Sequence, residues 1–199
     1  PDFVARLSEH LKRLQAAGIN TANHLYELSL KPIATKADTK VQLKSAVPTA
    51  KIYYTTDGTA PSIQSNLYSS PIPFAKTAVL KAQAFADGQA QGRILEKKIN
   101  IHQAVGQSID LTNKPATKYA ASGNIALING ITASPTRFND GEWLGFNGVD
   151  FESIIDFEKV TTIEEVRLSF FDDNGSWIYL PKEVVVFCSM DIAGDNPSI

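Results

Sequence analysis

A mainly β chain is predicted, with two successive antiparallel β blocks behind one N-terminal amphipathic helix. Three observations carry this. Apolar residues recur at spacings of three and four only at the start of the chain. From about Leu30 the pattern changes to short runs rich in Val, Ile, Phe and Thr. Clusters of Gly, Pro, Asn and Asp punctuate those runs at intervals too short for helices.

The helix comes first. Phe3, Val4, Leu7, Leu11 and Leu14 lay an apolar stripe along one helical face. Asp2 is placed to cap it, Lys12 and Arg13 suit its last turns, and Gly18 is placed to end it. A single amphipathic helix needs a partner for its stripe, and nothing later in the chain supplies another helix. The chain opens at Pro1 inside this helix start, which reads as a piece of a longer polypeptide.

The first β block spans residues 29–103. Val41 to Leu43, Lys51 to Thr56 and Val79 to Ala86 read as strands, and Asp57-Gly58 and Asp87-Gly88 are turn dipeptides after two of them. In the third run Leu80, Ala82 and Ala84 face one way while Lys81 and Gln83 face the other, as in a half-buried antiparallel sheet. Some seventy residues of such grammar predict an immunoglobulin-like β-sandwich.

The second block spans residues 104–199 and follows Ala104-Val105-Gly106. Phe151 to Phe157, Val166 to Phe171 and Glu183 to Cys188 are its strand candidates by Val, Ile and Phe content. Asp172-Asp173-Asn174-Gly175 is a turn signal, and Pro181 marks a strand start or edge. The stretch from Asp110 to Asp150 is loop-rich, and residues 191–199 lose periodicity.

Composition excludes several classes. The 199 residues carry a formal net charge of -2 with no long run of like charge, which offers nucleic acid no electrostatic surface. No stretch approaches the roughly 18 apolar residues of a membrane span. Cys188, alone, cannot form an internal disulfide, and its neighbours Val184 to Phe187 predict a buried thiol. His10, His24 and His102 lie in different segments without metal-ligand spacing and read as surface or boundary residues. Asn174-Gly175-Ser176 fits a glycosylation acceptor, and Asn-Gly is equally explained as a tight turn.

Three adjoining segments carry a resemblance, in serial order. Phe3 to Leu28 resembles the last helix of the catalytic barrel in family-20 β-N-acetylhexosaminidases. Ile52 to Ser62 (IYYTTDGTAPS), with Ser65, Tyr68, Pro71-Ile72 and Leu80 to Ala84, resembles the chitobiase/hexosaminidase C-terminal domain. Ala126 to Gly130, Asp140 to Phe146, Ile154 to Phe157, Ile163 to Val166 and Trp177 to Val184 resemble a discoidin (factor V/VIII type C) domain. The resemblance implies a barrel-end helix over 1–28, an immunoglobulin-like domain over 29–103, and a galactose-binding-like jelly roll over 104–199 lacking its last strands. It implies a non-catalytic accessory region of a glycosidase that releases terminal N-acetylhexosamine by substrate assistance. The Asp-Glu pair such catalysis needs is absent, since no Asp-Glu dipeptide occurs in the chain. The implied partners are the parent chain's catalytic barrel and glycans, and the implied location is periplasmic or extracellular.

Glycan contact is implied for the last block. Trp143, Trp177, Tyr179 and Arg137 are the candidates, because aromatic faces pack against a pyranose ring while polar groups read its hydroxyls. Trp143 and Trp177 stand at motif positions equally suited to packing on the β-core. The resemblance also implies a structural Ca2+ held by the carbonyls of Ala126 and Ile131 and the side chain of Asn129. Asn129 stands where relatives carry Asp, one charge fewer. Two readings remain beside the accessory one: a stand-alone carbohydrate-binding or adhesion module, and β-domains that are spacers only.

Overall fold

The computed structural model describes residues 2–21, 24–35 and 39–190. Helix α1 spans Asp2–Ala16 and ends where Gly18 adopts φ +72°. The side chain of Asp2, expected as its cap, lies outside the described part, as do residues 191–199.

Seven strands follow in the first block: β1 (Leu28–Ala34), β2 (Thr39–Ser45), β3 (Lys51–Thr55), β4 (Asn66–Leu67), β5 (Ile72–Phe74), β6 (Ala78–Ala86) and β7 (Gln89–Ile99). They form two antiparallel sheets, β1-β2-β5 and β4-β3-β6-β7. Pro32, which has no N–H to donate, is tolerated because β1 lies at a sheet edge. β6 and β7 join through Asp87 and Gly88, both at positive φ, a two-residue turn whose twist matches the strands it connects.

One core lies between the sheets. Val41, Leu43, Ile72 and Phe74 from one sheet meet Ile52, Leu80, Ala82, Ala84 and Ile99 from the other. The expected alternation in β6 holds, since Leu80, Ala82 and Ala84 are fully enclosed while Lys81 and Gln83 are half-exposed. The chain is 30% strand and 14% helix, the mainly β class that the sequence predicts.

Helix α1 rests on this sandwich. Val4 packs against the core, Ser8 Oγ and the Tyr26 hydroxyl are 3.0 Å apart, and Lys12 Nζ reaches Asp87 at 2.9 Å. Hydrogen bonds to Asp87 and Glu9 push the Lys12 ammonium up to about 12. Phe3, at the start of the stripe, stays 67% exposed.

The second block is far less regular. β8 (Ser108–Leu111) pairs with β9 (Ser153–Asp156), and single 3-10 turns stand at Thr117–Tyr119, Asn124–Leu127 and Asn174–Ser176. Two expected strands do not form: residues 166–171 and 183–188 are without ladder and largely exposed. The expected strand over Phe151 to Phe157 shortens to β9. Val, Ile and Phe favour a pleated, half-buried surface, but a strand needs a neighbour for its hydrogen bonds. Among the described residues neither segment has a hydrogen-bonded strand partner. Cys188 is consequently exposed, against the expectation of burial, because no opposing sheet covers it.

Candidate functional site

The loop from Gly123 to Trp143 carries the expected cation ligands and two of the expected glycan contacts, Arg137 and Trp143. It is anchored on the first sandwich. Asn100 N–H donates to the Gly130 carbonyl at 2.6 Å and Thr132 N–H to the Lys98 carbonyl at 3.1 Å, so Ile131 bridges Ile99 and enters the sandwich core. Gly130 is required here. Its φ is +80°, and a Cβ would stand 2.8 Å from the Asn100 carbonyl oxygen.

Asn129 is fully buried beside this joint and every polar atom of its side chain is engaged. Its Oδ1 accepts the Ile131 N–H at 2.7 Å, and its Nδ2 donates to Glu142 Oε2 at 2.8 Å. Its carbonyl accepts Thr39 Oγ1 at 2.9 Å, from β2 of the first block. Asp140 continues the network. Its Oδ1 accepts the Glu142 N–H at 3.1 Å, and its Oδ2 takes Ser134 N–H and Lys97 Nζ, the latter at 2.9 Å. The Lys97–Asp140 pair is withdrawn from water, with side chains 15% and 2% exposed.

Burial sets the protonation of both acids. It raises Glu142, with the Asn129 hydrogen bond and the Lys97 charge offsetting only part of the rise. At Asp140 burial also pushes upward, but the bonds from Lys97, Glu142 and Ser134 outweigh it and leave the carboxyl below its ordinary value.

The donor set expected for calcium comprises Asn129 Oδ1 and the carbonyls of Ala126 and Ile131. The one side-chain oxygen in it, Asn129 Oδ1, already accepts a backbone N–H, and the nearest carboxylate binds the amide face of Asn129 instead. Ala126 and Ile131 are buried on either side of Asn129. Among the described residues no three His, Cys, Asp or Glu side chains gather as a metal site.

The four expected glycan contacts divide. Trp143 is half-buried, donates Nε1–H to the Ser134 carbonyl at 2.9 Å, and meets Phe171 edge-on at 5.4 Å between ring centroids. Phe171 continues to Phe138 (6.0 Å) and Phe138 to Tyr119 (6.3 Å), with exposed Arg137 beside Phe138 in sequence. Trp143 thus packs, and its indole N–H is spent.

Trp177 and Tyr179 do the opposite, at 82% and 61% exposed. Trp177 does not pack on a β-core. It ends a tight turn in which Asp173 Oδ2 accepts Ser176 Oγ–H at 2.7 Å and Asp173 and Ile178 exchange both backbone bonds. Its φ is +60°, costly for a residue with a Cβ. The turn therefore holds a large aromatic in water rather than burying it. Neither Trp177 nor Tyr179 makes a ring contact with a described aromatic, so the four residues are not brought into one cluster. Asn174-Gly175 forms the tight turn that its sequence suggests.

Sequence reasoning missed Lys97, Thr39, Asp140 and Glu142 as members of one network. Asp140 and Glu142, two apart around a glycine with no neighbouring base, were the available signal.

Against known families, residues 33–96 match the family model described as the Chitobiase/beta-hexosaminidase C-terminal domain. That span runs from β1 into β7 and covers the Tyr54 to Gly58 strand and turn. No curated protein matches the chain.

Proposed function

We propose that this chain is a non-catalytic accessory region of a β-N-acetylhexosaminidase, acting outside the cytoplasm, whose last block touches glycan through exposed aromatics. The match over residues 33–96 carries the accessory reading. It coincides with a β-sandwich whose interior is filled by apolar side chains. A discoidin-like origin of residues 104–199 and a parent of glycoside hydrolase family 20 belong to the same proposal. The catalytic barrel would be the partner of α1, whose Phe3 is left in water by the sandwich.

For glycan contact the supporting observation is Trp177, held in a strained turn at the surface with Tyr179 two residues on. Arg137 supplies a nearby-in-sequence polar candidate on the Phe138 side, and Trp143 supports the loop from behind. Tryptophan fluorescence during titration tests this. N-acetylhexosamine oligomers should quench the emission saturably at millimolar concentration, and Trp177→Ala should abolish the response. No change with any N-acetylhexosamine, galactose or fucose ligand overturns the contact. The chain alone should release no chromophore from an aryl N-acetylhexosaminide.

The spacer reading has one observation of its own. The bonds from Thr39, Lys97, Lys98 and Asn100 into residues 129–140 fix the two blocks against each other, as a rigid spacer needs.

A further inference from the structure

A polar recess lies on the first sandwich, at residues 54–57 and 64–66. The end of β3 and the start of β4 enclose a cleft of about 230 Å3, with Tyr54, Thr56 and Asp57 on one wall and Gln64, Ser65 and Asn66 on the other. Tyr54 and Asn66 are register partners, so both lie on one face of the sheet. Tyr54 shares that face with Ile52 and packs against the core, which places the cleft at the rim of the sandwich.

The walls are fixed before any ligand arrives. Asp57 Oδ1 accepts both the N–H (2.9 Å) and the Oγ–H (2.6 Å) of Thr59, and Thr55 Oγ1 donates to the Thr59 carbonyl at 2.6 Å. Ser65 Oγ accepts the Ser62 N–H at 3.0 Å. Those bonds leave three cleft-lining groups unengaged. Among the described residues, the side-chain amides of Gln64 and Asn66 and the hydroxyl of Thr56 have no hydrogen-bond partner.

The chemistry selects a ligand class. The Thr59 hydroxyl and N–H hold Asp57 below its ordinary value, so a negative charge stands in the cleft at neutral pH and disfavours phosphates and carboxylates. Apart from Tyr54 the walls are polar, which disfavours lipid. The volume falls under the ~300–1,000 Å3 of pockets for drug-sized ligands, so a single small ring is the fitting size. Two amides, a hydroxyl and a carboxylate together offer both donors and acceptors, the mixture that vicinal hydroxyls require.

We propose that this cleft binds one neutral sugar ring, with Gln64, Asn66 and Asp57 reading its hydroxyls. It does not depend on the glycan contact proposed for Trp177 and Tyr179. Amide NMR of the whole chain, titrated with methyl glycosides of glucose, galactose, mannose and N-acetylglucosamine, tests it. At least one should give saturable shifts confined to residues 54–57 and 64–66, with a dissociation constant on the order of 1–10 mM. The double substitution Gln64→Ala with Asn66→Ala should weaken that binding by roughly tenfold or more. Both positions are exposed, so its melting curve should superimpose on the parent's. Absence of saturable shifts at these amides with every glycoside overturns the proposal. So does an equal response to methylammonium, which would mark the cleft as a site for small cations. Shifts at Trp177 and Tyr179 alone would also overturn it while leaving the aromatic contact standing.

Discussion

The two β blocks use similar residues to opposite ends. In the first, Leu80, Val41 and Ile99 are fully enclosed between two sheets. In the second, Val185, Phe187 and Val160 are 60%, 88% and 79% exposed although they are as apolar. The difference is partnership, since each enclosed strand has a hydrogen-bonded neighbour and a sheet opposite it. Residues 159–190 have neither beyond the bridge at Asp173 and Ile178. Hydrophobicity alone therefore does not decide burial; a completed sheet does.

This contrast can be broken most severely at the first core and at the joint between the blocks. Leu80→Ala should cost about 2–5 kcal/mol in denaturant unfolding, as large-to-small changes in closed cores do. Phe187→Ala should fall within about 0.5 kcal/mol of the parent, the range for exposed positions. Equal effects would dissolve the comparison. At the joint, Lys97→Met strands the Asp140 carboxylate in a dry site, and losing one partner of such a pair costs about 3–5 kcal/mol. Gly130→Ala should weaken the same joint through its positive φ and the Asn100 carbonyl, seen as faster amide exchange at Asn100 and Thr132.

The joint also sets a pH response with two opposing signs. Asp140 lies below its ordinary value when folded, so its contribution is present above the unfolded value of about 3.9 and is lost as pH falls through the folded one. Glu142 lies above its ordinary value, so its contribution is present below the unfolded value of about 4.3 and is lost as pH rises through the folded one. Glu142→Gln keeps an acceptor for Asn129 and removes the buried charge. It should raise the melting temperature at neutral pH, with the gain shrinking on acidification; a constant gain across pH would contradict this assignment. A small effect of the opposite sign is expected at the displayed turn. Trp177→Gly should stabilise by up to about 1 kcal/mol, by relieving the left-handed backbone.

The legible part of the fold was the part where burial has a period. β2 and β6 alternate because one face of each packs on the core. β7 has no such period, because Glu96, Lys97 and Lys98 sit in a strand whose residues are largely exposed, and charge reads as loop. β1 was masked by Pro32, which an edge position excuses. At 166–171 the error ran the other way: β-propensity is local, while a ladder is not. The joint was the least legible feature. Asn129 stood out by its motif, but Thr39 lies 90 positions away in sequence, and nothing in either segment announces the other.

Hydrogen exchange, read by mass spectrometry on the intact chain, tests the central contrast most directly. Amides of β2, β3 and β6 should exchange slowest, those of residues 98–100 and 130–132 should share part of that protection, and residues 159–190 should exchange within the earliest times. Slow exchange over 166–171 and 183–188, matching that of β6, would contradict the account, because it would place those segments in a closed sheet after all.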